Sequence, residues 1–146
     1  MTWSLFNQIA IGSGLVILST LLSAAIFLGL ELALAREYAW LIRPPHRPKL
    51  MLVLLVSVIA ALGMITVSVW LWAFAFYWLE VFVTLEAALY FSLVSFTTLG
   101  FGDIILSPEW RILSGITAAN GLLMIGMMSA VVLETLRYVR KNQLAS

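Results

Sequence analysis

The sequence predicts an all-α membrane protein: three transmembrane helices, with a short re-entrant helix and an irregular loop placed between the second and the third. Three observations predict it. Of the 146 residues, 63% are hydrophobic and 10% charged, whereas a soluble domain is about half apolar and a quarter charged. Three uncharged runs are each long enough for a hydrocarbon core of about 30 Å, which takes roughly 20 apolar residues to cross. A fourth apolar run is too short to cross and leads into polar, glycine-containing backbone. The absence of cysteine excludes disulfides, thiolate metal sites and a cysteine nucleophile. No His/Asp/Glu metal spacing, nucleophile elbow or nucleotide-binding fingerprint occurs either, so neither enzyme chemistry nor a cofactor is expected.

The first run, residues 7–30, carries no charge, and its small residues Gly12, Gly14, Ser19 and Ser23 would let a neighbouring helix approach closely. It does not read as a signal peptide, which starts with a basic segment, because no Lys or Arg precedes Arg36. A loop is expected next, where Arg36, Arg43, Arg47 and Lys49 surround Pro44 and Pro45, with His46 solvated. Residues 50–79 form the second span, with Trp70, Trp72 and Trp78 suited to an interface. Residues 112–133 form the third, closed by "ETLRYVRK". This divides the chain into 1–49, an N-terminal transmembrane helix and basic loop, and 50–146, which holds the remaining elements.

Four of the eight basic residues lie in the first loop and three (Arg137, Arg140, Lys141) after the last span. The positive-inside rule puts both in the cytoplasm and the N-terminus outside. Four of the seven acidic residues, Glu80, Glu86, Asp103 and Glu109, lie between the second and third spans. An acidic outer face concentrates cations. The basic loop is short and juxtamembrane, so anionic lipid headgroups are its expected contacts and nucleic acid is not. Glu31 is expected to snorkel or to pair with Arg36; Glu134 either pairs with Arg137 or rings an inner mouth.

Residues 84–97, "TLEAALYFSLVSFT", are apolar but shorter than the roughly 17 residues a crossing needs, which predicts a re-entrant helix. Thr84 is its N-cap candidate, and Glu86 sits at the positive end of the dipole. Lipid cannot satisfy bare amides and carbonyls, so the "TTLGFGD" that follows should line a water or ion path.

Thr98-Leu99-Gly100-Phe101-Gly102-Asp103 resembles the selectivity filter of the potassium-channel pore family, whose commonest form reads Thr-Val-Gly-Tyr-Gly-Asp. The resemblance covers residues 79–138. It includes Trp110-Arg111 opening the third span, Gly121 ten residues after Arg111 at the position of an inner-helix hinge, and Gly126 five further on. It implies a tetrameric channel passing K⁺, bound by Thr98, Leu99, Gly100 and Phe101, with Gly102 completing the filter. Tyr90, Phe91, Val94 and Asp103 would support the filter, and Ile125, Met128 and Val132 are candidate linings of a cavity below it. Gly121 and Gly126 serve equally well as hinges or as packing contacts. K⁺ would be a permeant ion and not a cofactor; a homotetramer, membrane lipids and a gating partner are the expected associates.

Leu99 stands where the family usually has Val and Phe101 where it has Tyr, and residues 103–111 are one residue shorter than in the simplest relatives. Phe101 lacks a hydroxyl and Phe91 an indole N–H, so both members of a common filter hydrogen bond are missing together. Losing both costs far less than losing one, but the filter is expected to be less rigid. A non-selective cation channel, or a non-conducting subunit of a larger complex, are the alternative readings. No span carries arginines at every third position, so an arginine voltage sensor is absent. Brevity and the lack of sorting signals point to a prokaryotic inner membrane.

Overall fold

A computed structural model describes residues 5–145. Among the described residues it contains helices and no strand: α1 (Leu5–Arg36), α2 (Tyr38–Leu41), α3 (His46–Trp78), α4 (Leu85–Phe96) and α5 (Arg111–Ala145). Three of them, α1, α3 and α5, are long and apolar enough to cross a membrane, and α4 is the shorter apolar helix between the last two. The chain is an integral membrane protein.

Each span outruns its uncharged run. The helices hold 32, 33 and 35 residues, roughly 48–53 Å at 1.5 Å per residue. Arg, Lys, Glu and Leu are good helix formers, so α5 continues through "ETLRYVRK", and charge alone does not end a helix. The basic loop is also more ordered than expected. It contains the single turn of α2 and a cis Pro44–Pro45 bond, and α3 starts at His46. Pro48 is tolerated in that first turn because amides there have no intrahelical acceptor.

Two side chains of this loop differ from expectation. Lys49 is buried, its Nζ donating to the carbonyls of Trp40 at 2.5 Å and Arg43 at 2.7 Å and lying 4.4 Å from the Trp40 ring centroid. It ties α2 to α3. The Nε2 of His46 lies 3.2 Å from the Ile42 carbonyl oxygen, so the ring has a protein partner.

Helices α1 and α5 run parallel and both pack on α3, while α4 sits between α3 and α5. The buried stripe of α1 is Gln8, Gly12, Ser19, Ser23 and Leu30, at the near-heptad spacing of a left-handed helix pair. In lipid such a seam is held by close packing and interhelical hydrogen bonds. Gln8 Oε1 accepts from the Leu113 amide at 3.4 Å, and the buried Asn120 Nδ2 donates to Ser19 Oγ at 2.8 Å. Gly14, expected among the contact residues, turns away and meets nothing.

The main core lies between α3, α4 and α5, where Trp72, Phe76, Phe96, Leu113 and Met124 are almost fully buried. Met128 joins this cluster, so it is not available as a cavity lining. Its helical spacing from Leu113, Thr117 and Met124 places it on the buried face of α5.

Candidate functional site

Helix α4 begins as its sequence requires: Thr84 accepts at its Oγ1 from the Ala87 amide at 3.2 Å, and Glu86 lies in the first turn. Its far end sets up the loop. Thr97 closes the helix, the Thr98 amide reaches the Ser95 carbonyl at 3.0 Å, and the Leu99 amide reaches the Val94 carbonyl at 3.0 Å. This is a Schellman end, whose first residue outside the helix takes the left-handed conformation. That residue is Thr98, at φ 58°, a rare state for a β-branched side chain.

The left-handed state then recurs at every second residue. Gly100 has φ 54° and Gly102 φ 77°, while Leu99 and Phe101 have ordinary negative φ. Glycine takes these values without steric penalty. The consequence shows in the amides. Leu99 N–H and Gly100 N–H, at 3.0 and 3.2 Å, share the one carbonyl of Val94. In a strand, successive residues face opposite ways; here two successive amides face the same way. Because N–H and C=O are opposed within a planar trans peptide, the carbonyls of Thr98 and Leu99 both point away from α4. Residues 98–103 are all exposed, so this edge of the chain is open.

Tyr90 donates its hydroxyl to Asp103 Oδ2 at 2.6 Å, joining the middle of α4 to the end of the loop. That hydrogen bond, with desolvation and the carboxylate's charge adding to it, raises the Tyr90 pKa above the ordinary phenol value. The phenol therefore stays protonated and donating at neutral pH. Val94 supports the loop through its carbonyl. Phe91 faces α3 and stacks edge-on to Phe76 with centroids 5.3 Å apart, and against Phe82 at 5.2 Å. It fixes α4 to α3. Phe101 is 66% exposed.

Gly121 lies where the backbone of α5 meets the end of α4. A Cβ there would fall 1.6 Å from the Phe96 carbonyl oxygen, so α5 buttresses the residue just before the loop begins. A Cβ at Gly126 would meet nothing within 4 Å. On the other side of the loop Leu106 and Trp110 are buried, and Arg111 Nε donates back to the Leu106 carbonyl at 3.4 Å.

The family model for ion channels matches residues 64–138, just over half of the chain. The chain belongs to the two-transmembrane ion-channel family of potassium-channel pore type. The searches of curated proteins and of solved structures gave no match.

The matched region of the channel starts within α3, takes in α4 and the whole loop, and ends within α5, leaving α1 outside it. Two features of the channel had no glycine or charge to flag them. The left-handed Thr98 follows from the hydrogen bonds of the helix end, which residue type does not reveal. Asn120 did carry a signal, an amide side chain in the middle of an apolar span, where interhelical partners are the rule.

Proposed function

We propose that the chain is one subunit of a homotetrameric, potassium-selective channel of a prokaryotic inner membrane. In this reading Thr98, Leu99, Gly100 and Phe101 hold K⁺ through their carbonyls, and Gly102 completes the filter. The observation that carries it is the alternation of left-handed residues at 98, 100 and 102, with two successive amides turned back onto Val94. A row of carbonyls on one edge is what replaces an ion's hydration shell in filters built from four such loops. One chain supplies one loop, and its exposed edge is the face that three further copies would complete. The acidic residues of the 80–109 segment lie at the outer mouth, and the basic ends of α1 and α5 face the cytoplasm.

A second reading is supported by Phe101 and Phe91. Neither can form the hydrogen bond that braces many such filters, and Phe91 is committed to Phe76 and Phe82. Tyr90–Asp103 is then the remaining side-chain brace, and a filter held this way discriminates less strongly against Na⁺.

The test is K⁺ flux into liposomes holding the purified protein, with Na⁺ as competitor and Gly100→Ala as control. Uptake of K⁺ above that of Na⁺, lost in the variant, supports the selective channel. Equal fluxes support the relaxed filter. Absence of flux from verified tetramers overturns both.

A further inference from the structure

At the basic end of the bundle, residues of α1, α2 and α5 line a cavity of about 400 Å³. Its walls are mostly aliphatic and aromatic: Phe27, Leu30 and Leu34 from α1 and Val139 from α5, with Leu41 of α2 at the end. Two carboxylates, Glu31 and Glu134, line the same space. The parallel helices α1 and α5 meet through Gln8 and Leu113, Gly12 and Ile116, and Ser19 and Asn120, and the carbonyl of Leu41 in α2 accepts from Gln143 of α5 at 3.0 Å. Glu31 of α1 and Glu134 of α5 thus reach one cavity from two helices.

We propose that this cavity binds a hydrophobic organic cation, its ammonium group between Glu31 and Glu134 and its apolar body against Phe27, Leu30, Leu34 and Val139. A cation placed between two carboxylates is attracted to both. The basic residue expected to pair with Glu134 faces elsewhere: Arg137 lines a separate groove between α3 and α5, with Arg140, Leu50 and Leu54. A metal ion is the wrong occupant, because no group of three or more His, Cys, Asp or Glu side chains that could hold one exists among the described residues. The volume and the apolar walls with a few convergent polar groups suit a small organic molecule. The occupant would wedge between α1, which lies outside the matched channel region, and α5, which buttresses the filter through Gly121. Only this last consequence rests on the channel reading.

The test is calorimetric binding of 1-adamantylammonium to the full chain in lipid nanodiscs at neutral pH, with neutral 1-adamantanol as its isostere. The expected result is saturable binding of the amine, at least about tenfold tighter than the alcohol. Glu31→Gln and Glu134→Gln should each remove about that preference. Leu34→Trp, which fills the cavity and keeps both carboxylates, should abolish binding while α-helical content and thermal unfolding stay unchanged. Equal binding of amine and alcohol overturns the proposal, since an apolar cleft filled by a lipid chain behaves so. Amine binding that survives both Glu→Gln variants also overturns it, by placing the cation elsewhere, as does absence of saturable binding, expected where a neighbouring copy covers the cavity. K⁺ flux measured in parallel separates the two ideas, because binding without flux overturns only the channel reading.

Discussion

The ends of α3 and α4 share one local structure and lead to different segments. Leu79 and Thr97 cap them at φ −78°, ψ 4° and φ −76°, ψ 1°, and the next residues, Glu80 and Thr98, are left-handed at φ 56° and 58°. Both ends carry the Schellman pair of bonds, Val81 to Phe76 and Glu80 to Tyr77 in one, Leu99 to Val94 and Thr98 to Ser95 in the other. After Glu80 the left-handed state does not recur before Thr84, the N-cap of α4. After Thr98 the left-handed state returns at Gly100 and Gly102, and the Gly100 amide also reaches Val94. A left-handed residue past a helix is thus common to both ends; its repetition at glycines distinguishes the second. The second difference is support, since the α4 end rests on α5 backbone at Gly121.

The largest effect should come from removing that support. Gly121→Ala places a methyl 1.6 Å from the Phe96 carbonyl oxygen, and backbone cannot step aside as a side-chain tip can. Overpacking of this kind costs about 1–3 kcal/mol, or more. Thermal unfolding in detergent should shift down and flux should be lost; a variant as stable as the parent would show that α5 does not buttress the loop. Gly12→Ala is the control, because there the nearest atom is the mobile Ile116 Cδ1 at 2.6 Å.

Gly100→Ala ranks next. It has open space around it, but a left-handed alanine costs roughly 1–2 kcal/mol and tends to flip the peptide. Flux should fall at least about tenfold, with helix content by circular dichroism unchanged. Full flux would mean that the alternation is not needed.

Glycine at the two helix ends sharpens the comparison directly. Glu80→Gly relieves a strained φ and should change stability by about 1 kcal/mol or less, leaving selectivity as it was. Thr98→Gly relieves the same strain but removes the hydroxyl that would lie beside the ion path in the proposed filter, so the K⁺/Na⁺ permeability ratio should fall. Matching effects on selectivity at both sites would erase the distinction drawn here.

The smallest effect is expected at Tyr90. Tyr90→Phe removes the 2.6 Å bond to Asp103 and should lower the K⁺/Na⁺ ratio without changing unfolding. The raised pKa of Tyr90 gives the sign of a pH effect: the bond's contribution is complete below the ordinary phenol value and is lost as pH rises through the higher folded-state value. Alkaline wild type should then lose the bond as Tyr90→Phe does and add repulsion between phenolate and carboxylate, so its K⁺/Na⁺ ratio should fall at least as far, as read by reversal potentials.

Much of the fold and some of the site was legible in the residues. Apolar run length gave the spans, because lipid leaves a helix few alternatives. The shortness of the fourth run, with Thr84 and Glu86 at its start, placed α4 within a residue of its observed bounds. Helix ends were less legible, since α5 crosses the "ETLRYVRK" boundary on helix propensity alone. Gly100 and Gly102 were recognisable because only glycine enters the left-handed region freely. The tertiary structure decided the rest. It turned Phe91 to α3, buried Lys49 and Met128, and chose between two adjacent residues of α5 so that Asn120 meets Ser19 and Gly121 meets Phe96. The physical reason is one of range. Propensity and hydrophobic run length act along a few residues of chain, whereas which face of a helix meets which neighbour is fixed by partners about a hundred residues away.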